Sequence, residues 1–365
     1  MKIAYLGQMA DVSRETSIAK KIRSQTAAWM DAGHQVKYFS LCPDTRVWEG
    51  LNRLPCVIVP RGNIARRPFQ SRRLCQVIRA WAPDVIYFRY AYHSAGFPAL
   101  FARIPAIAEI NSDDQTEYQH TLAWWKQVYH RLTRRGILDS CTGFVCVTHE
   151  LAGRFAGIGK PTVVIGNAVD LAGHRSLSPA PLDGPVRLAF MGSPATPWHG
   201  LDRLGELGRA FPKWQFDIIG CTQADWWQVN PADRRPPANL HFHGHLGRAD
   251  YEPILATATA AIGTMGLYRK SMEEACPLKV RECLALGLPV IGACLDTDIP
   301  ADAAYYLRLP NSGESLQPHY AAITSFVESW RGQRVSRIAV AHLDTTLKEA
   351  RRLAFMTAHI HSLRE

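Results

Sequence analysis

The chain has 365 residues, 47% of them hydrophobic and 20% charged, with no low-complexity tract; one core rarely grows past ~250–300 residues, so two globular domains are expected and a disordered or fibrous protein is excluded. The net charge of +10 is uneven, with 22 Lys+Arg against 13 Asp+Glu in residues 1–170 and 20 against 19 in 171–365, which suits either an anionic partner for the first half or a plain soluble basic face. No run nears the ~18 apolar residues of a membrane span, neither secretion nor insertion is expected, and nine cysteines without a C-x-x-C pair read as buried hydrophobes of a reducing cytoplasm.

"KIAYLG" reads as a strand, "QMADVSRETS" as a polar loop, and "IAKKIRSQTAAWMDAG" as a helix with Ile18, Ile22, Ala27 and Trp29 near helical spacing before a Gly stop. "HQVKYFSL", "CVIVP", "DVIYFRY", "AIAEI" and "GFVCVT" follow as strands, several with helical stretches between them. Such alternation predicts a parallel βαβ sheet. Residues 171–185 concentrate Pro, Gly and Ser and are expected to link the domains. "VRLAFMG", "WQFDIIG", "NLHFHG", "AAIGTM" and "LPVIGA" then repeat the pattern, and "LDTTLKEARRLAFMTAHIHSL" closes the chain as a helix. The fold class expected is α/β: two Rossmann-like, doubly wound parallel-sheet domains (1–170 and 186–344, with a helix at about 345–365 returning to the first) and a cleft between.

The stretch "EEACPLKVRECLALGLPV", residues 273–290, places Pro277 at the first position of a helix over roughly 277–286, stopped by Gly287 and Pro289. Its free N–H groups from Leu278 onward favour an anion such as phosphate. Glu282 suits a ribose diol, Glu274 the hydroxyls of whatever the phosphate carries, and Lys279 adds a cation. The other reading makes the acids plain helix-start residues and Glu282 an exposed position paired with a base.

Glu274-x7-Glu282 with Ala285, Gly287, Pro289 and Val290, together with "VVIGNAVDL", "DAGHQVKYF", "DVIYFRY" and "WHGLDRL", resembles the pattern of retaining glycosyltransferases of family 4. The resemblance implies a GT-B fold and transfer with retention, without a metal or any cofactor beyond the nucleoside-diphosphate sugar. It implies that Glu282 binds ribose, Glu274 the donor sugar, and the backbone about Cys276, Pro277 and Leu278 the phosphates. Gly192 opens the phosphate-facing loop, while Gly220, Gly244 and His245 complete the donor-binding set. Ser193 and His199 stand where the family commonly has Arg and Lys, so the diphosphate charge is expected to fall to Lys279 with Arg269 or Lys270. In the first domain the loop "GQMADVSRETS" carries Thr16 and Ser17, the acceptor-side residues, where a Gly pair is common; Asn111 or Asp113 stands where the family often has a His, and Asn111 and His93 are, with Glu274 and Lys279, the catalytic candidates.

The implied acceptor is a glycan or a polyprenyl-diphosphate-linked glycan of bacterial surface polysaccharide synthesis, the enzyme lying in the cytoplasm and at the inner membrane face. "RRPFQSRRL" and "WWKQVYHRLTRR" interleave bases with aromatics and read as a membrane-contact face, through Arg131, Arg134 and Arg135, or as solvated helix faces. No nucleic-acid partner is expected. His241, His243 and His245 have a spacing compatible with metal, but Gly244 interrupts it and no acid accompanies them. A dinucleotide dehydrogenase is disfavoured because no G-x-G-x-x-G follows the first strand. A nucleotide-sugar epimerase of the same fold and a weakly catalytic nucleotide- or glycan-binding relative are the alternatives.

Overall fold

A computed structural model describes residues 1–7, 12–231 and 235–360. The chain divides into unit 1, Met1–Ala168 with Thr345–Glu365, and unit 2, Val169–Asp344. Residues 171–185, expected as a linker, run along unit 2, where the N–H of Leu177 donates to Leu286 O at 2.9 Å and Ala180 is buried.

Unit 1 proceeds through β1 (Lys2–Gly7), α1 (Ser17–Asp31), β2 (Gln35–Cys42), β3 (Cys56–Pro60), α2 (Arg67–Trp81), β4 (Val85–Arg89), α3 (Phe97–Phe101), β5 (Ala106–Ile110), α4 (Asp114–Thr121), α5 (Trp124–Asp139), β6 (Gly143–Cys146), α6 (His149–Phe155) and β7 (Thr162–Val164). The seven strands form one sheet in the order β3-β2-β1-β4-β5-β6-β7, and every pair is parallel. Helices cover both faces of such a sheet, so its strands are apolar on both sides; Val85 to Phe88 and Ala106 to Ile110 are buried without a break. Tyr5 pairs in register with Tyr38 on one side and Tyr87 on the other, and these rings pack with Trp29 of α1.

Unit 2 proceeds through β8 (Arg187–Met191), α7 (Arg203–Ala210), β9 (Gln215–Ile219), α8 (Gln223–Val229), β10 (Leu240–Gly244), α9 (Arg248–Thr257), β11 (Ala260–Ile262), α10 (Leu278–Ala285), β12 (Val290–Gly292), β13 (Tyr306–Arg308) and α11 (Tyr320–Ser329). Its sheet runs β10-β9-β8-β11-β12-β13, again all parallel. The order reverses between β8 and β11, the place where open α/β sheets leave a crevice for ligands. Two apolar clusters, one built about Val280, Leu284 and Leu288 and the other about Leu204, Trp226 and Ile323, hold the helices against this sheet.

The last helix, α12 (Thr345–His359), belongs to unit 1 and packs on α1. Residues 361–365, the end of the predicted closing helix, lie outside the described residues. An ionic network buried in the core fastens α12. Glu349 accepts from Trp29 Nε1 at 2.9 Å and from Arg352 at 2.7 Å, and Arg352 also donates to the carbonyls of Ile165 and Gly166. Below it, Glu109 of β5 is wholly buried with Lys21 at 3.0 Å and the Arg352 and Arg89 guanidinium groups at 3.7 and 3.5 Å. Burial alone would raise the Glu109 carboxyl; Lys21, Arg352 and Arg89 outweigh it and hold it well below the usual range.

Candidate functional site

Unit 2 gathers most of the residues marked in the sequence. Glycine stands just after β8 (Gly192) and β9 (Gly220) and at the end of β10 (Gly244), and the first two are demanded by geometry. Gly220 has φ +88° and an added Cβ would lie 2.3 Å from Gly192 O; one at Gly192 would lie 2.6 Å from Cys221 Sγ. Gly220 N–H donates to Gly244 O at 2.6 Å and Gly192 N–H to Ile219 O at 2.8 Å, so the ends of β8, β9 and β10 close on one another without side chains. Gly220→Ala should lower the stability of unit 2 by about 1–3 kcal/mol through a disallowed backbone and a main-chain clash, read as a lower denaturant midpoint at unchanged m.

Beside these ends lies a cavity of about 370 Å³, counted to its open mouth. It is lined by Phe190 and Met191 of β8, Ile262 of β11 and Gly263 after it, and His199, Pro277, Lys279 and Cys283. It therefore opens at the strand-order reversal. Pro277 is the N-cap of α10, in extended conformation (ψ 129°), rather than its first helical residue as expected from the sequence. The reason is hydrogen bonding: the carbonyl of Pro277 already accepts from Val280 and Arg281, leaving the N–H groups of Leu278 and Lys279 at the helix start available to an anion.

Lys279 Nζ donates to Ser193 Oγ at 3.0 Å and lies 3.4 Å from His199 Nδ1. Ser193 and His199 thus both receive the charge of Lys279. Ser193 N–H donates to the same Nδ1 at 3.2 Å, and Thr196 Oγ1 lies 2.8 Å from it. Burial, then the charges of Lys279 and Lys270, push the His199 imidazole well below its usual range. Burial also brings the Lys279 ammonium down to about 8, partly countered by Cys221, Cys283 and Glu282.

The other expected cations differ in availability. Arg269 is clamped on Asp202 at 2.8 and 2.6 Å, donates to Pro197 O and lies over the Tyr268 ring, so its charge is already matched. Lys270 is buried with its Nζ 4.5 Å from the Trp198 ring centroid. Glu282 is 7% exposed, accepts from the Tyr251 hydroxyl and lies 3.9 Å from His174 Nε2. It is therefore no exposed surface acid, as one reading of the sequence had it. Glu274 is half-buried in a loop that pairs with Leu295 through a single parallel bridge.

Beneath the start of α10, wholly buried Arg281 bonds to Asp296 at 2.8 and 2.7 Å, to Asp298 at 3.1 Å and to Cys276 Sγ at 2.7 Å. Cys276, Asp296 and Asp298 lie close enough together to suggest a metal site, but the guanidinium already supplies their counter-charge. Hence the Cys276 side chain faces Arg281, and only its backbone remains for a ligand. The strand histidines are likewise engaged, His241 with Gln215 and His243 with Asp217 at 2.8 Å, while His245 is exposed. Among the described residues the three histidines form no metal group.

Unit 1 disperses its candidates. Thr16 is the N-cap of α1, its hydroxyl accepting from Ala19 N–H at 3.0 Å, and Ser17 begins that helix. Residues 8–11 of the loop before them lie outside the described residues. Asn111 accepts from Lys21 at 2.7 Å and donates to Glu109 at 3.1 Å, joining the buried network. Asp113 caps α4 and pairs with Arg154 at 2.7 Å. His93 instead lines a pocket between α2 and α5 and hydrogen-bonds the Tyr129 hydroxyl at 2.7 Å; burial lowers its imidazole. Of the arginines expected at a membrane face, Arg134 pairs with Asp114 and Arg135 with Asp139. Tyr251, Arg281, Asp296 and Arg352 escaped the sequence reading, since no local spacing announces a partner tens of residues away.

Residues 22–172 match the family model described as Glycosyltransferase Family 4. Sucrose-phosphate synthase from Thermosynechococcus elongatus superposes with TM-score 0.71 at 12% identity, covering 99% of both chains. HepE from Anabaena in complex with UDP and glucose gives 0.70 at 14%, covering 98% of this chain and 100% of that one. The lipopolysaccharide outer core galactosyltransferase WaaB in its apo form gives 0.67 at 13%, covering 98% and 99%. No curated protein matches the chain by sequence. The fold is GT-B, and among the described residues no helix is long and apolar enough to cross a membrane.

Proposed function

On the premise that the chain belongs to glycosyltransferase family 4, we propose that it moves a hexose from a nucleoside-diphosphate sugar, UDP-linked before GDP-linked, to a hydroxyl of a glycan or glycolipid, with retention and without a metal. The observation carrying this reading is the cavity at the strand-order reversal of unit 2, where Lys279, His199, Ser193 and the free N–H groups of α10 converge. Those groups would hold the diphosphate and neutralise it as it leaves, the role a metal fills elsewhere. Glu282 would take the ribose hydroxyls and Glu274 those of the sugar. No cofactor beyond the donor is required. A part in bacterial surface polysaccharide synthesis, at the cytoplasmic face of a membrane, is the setting that suits a polyprenyl-diphosphate-linked acceptor.

Calorimetric titration of UDP, GDP and ADP in EDTA tests the donor site. One nucleotide should bind, and Glu282→Ala should weaken it by about tenfold to a hundredfold, the loss of a hydrogen bond to a charged group. Absence of binding in EDTA would overturn the reading. NMR of the product anomer then reads retention directly.

The affinity should also depend on pH. Lys279 in the free protein titrates at about 8, and a diphosphate beside it favours the ammonium. Binding therefore takes up a proton above about 8, and affinity falls by up to about tenfold per pH unit there while staying level below. Equal heats in buffers of different ionisation enthalpy at alkaline pH would remove Lys279 from the phosphate contact.

A further inference from the structure

Residues 61–81 hold six basic side chains and residues 122–138 hold four, with no acid in either stretch. The two meet at the unit 1 pocket that His93 lines, a space of about 900 Å³ counted to its mouth. Arg61 and Arg67 both line it, and each has its Nε withdrawn from water with no hydrogen-bond partner. Both side chains are half-buried, so only that one N–H of each is left without an acceptor, and a phosphate accepts from two arginines at once. Lys126 stands on the opposite wall. The remaining lining is largely apolar, with Leu41, Ile64, Leu122 and Trp125, so a free phosphate would leave most of it unused.

The surroundings specify where such a ligand comes from. Helix α5 exposes the apolar stripe Trp124 (76% exposed), Val128 (47%) and Leu132 (80%) at spacing i, i+4, i+8. With Ile64, Phe69, Trp125 and Tyr129, the two stretches supply seven of the thirteen exposed large apolar side chains among the described residues. Exposed aromatics ringed by unopposed bases suit the interface of an anionic bilayer. Arg134 and Arg135 are spent on acids, and Arg61, Arg67 and Lys126 are the cations that line the pocket.

We propose that the pocket between α2 and α5 binds the phosphate of a membrane lipid, with Trp124, Val128 and Leu132 resting in the surface of an anionic bilayer. That this lipid carries the acceptor hydroxyl rests on the transferase reading; lipid binding itself does not.

Sedimentation with phosphatidylcholine vesicles, with and without phosphatidylglycerol, in EDTA and without nucleotide, tests it. The protein should prefer the anionic vesicles. Arg61→Gln with Arg67→Gln should weaken partitioning about thirtyfold, from about fivefold per basic residue at an anionic surface. Trp124→Ser, Val128→Ser and Leu132→Ser, all solvent-facing, should weaken it about tenfold or more. Monomeric short-chain phosphatidic acid should bind the stripe variant like the parent and fail on the double arginine variant. No preference for anionic vesicles, unchanged partitioning of the arginine variant, or inorganic phosphate binding as tightly as phosphatidic acid would each overturn the proposal. Calorimetry with UDP, GDP and ADP on the same variants keeps the two readings apart: lipid binding with none of the three nucleotides bound would sink the transferase alone.

Discussion

Lys279→Ala should lower kcat/KM for transfer by about 10²–10³-fold, with most of the loss in kcat. One donor or cation aimed at developing charge in a site shielded from water is worth about that much. Lys279 is placed for it by contacts with Ser193 Oγ at 3.0 Å and His199 Nδ1 at 3.4 Å, both on the loop after β8. Arg269 offers no substitute because Asp202 holds it bidentately. Fold stability should barely fall. A buried lysine whose native titration point is about 8 rather than its ordinary 10.5 opposes folding while charged, so the unfolded chain binds more protons across that window and parent stability rises with pH through it. The alanine variant lacks this slope. Steady-state kinetics beside denaturation at two pH values separates the effects, and an unchanged kcat/KM would remove Lys279 from the reaction.

The second large effect concerns unit 1. Arg352→Ala should cost about 3–5 kcal/mol, the loss expected when one partner leaves a buried ionic network and its acids stay behind. Arg352 is fully buried between Glu349 and Glu109 and satisfies two carbonyls after β7. The alternative is that α12 is held by apolar packing through Met356 alone. Pairing Arg352→Met with Glu349→Gln discriminates, because removing both charges should recover a good part of the loss. If the single and double variants unfold at the same denaturant concentration, the network does not fasten the helix.

Much of this was legible beforehand. The alternation of short apolar runs with helical periods announced two parallel sheets, and Pro277, Gly287 and Pro289 framed α10 to within a residue at either end. These are properties of neighbours in the chain: strand and helix periods, and the missing N–H of proline, act over a few residues wherever the segment lies. The family pattern likewise marked Glu274, Lys279 and Glu282 before any partner was visible.

Partners were another matter. Nothing in "RGNIARRPF" tells Arg61 and Arg67 from Arg66, yet only the first two line the pocket. Arg269 looked as eligible as Lys279 until Asp202, 67 positions away, was seen to take it. Asn111 read as a catalytic candidate until Lys21, 90 positions away, claimed its side chain. Sequence alone determined the elements and the residue types at α10, because those forces are local. Only the tertiary structure decided which charges remain free to meet a ligand, because pairing across a parallel sheet depends on strand order, and strand order brings together residues that no local period connects.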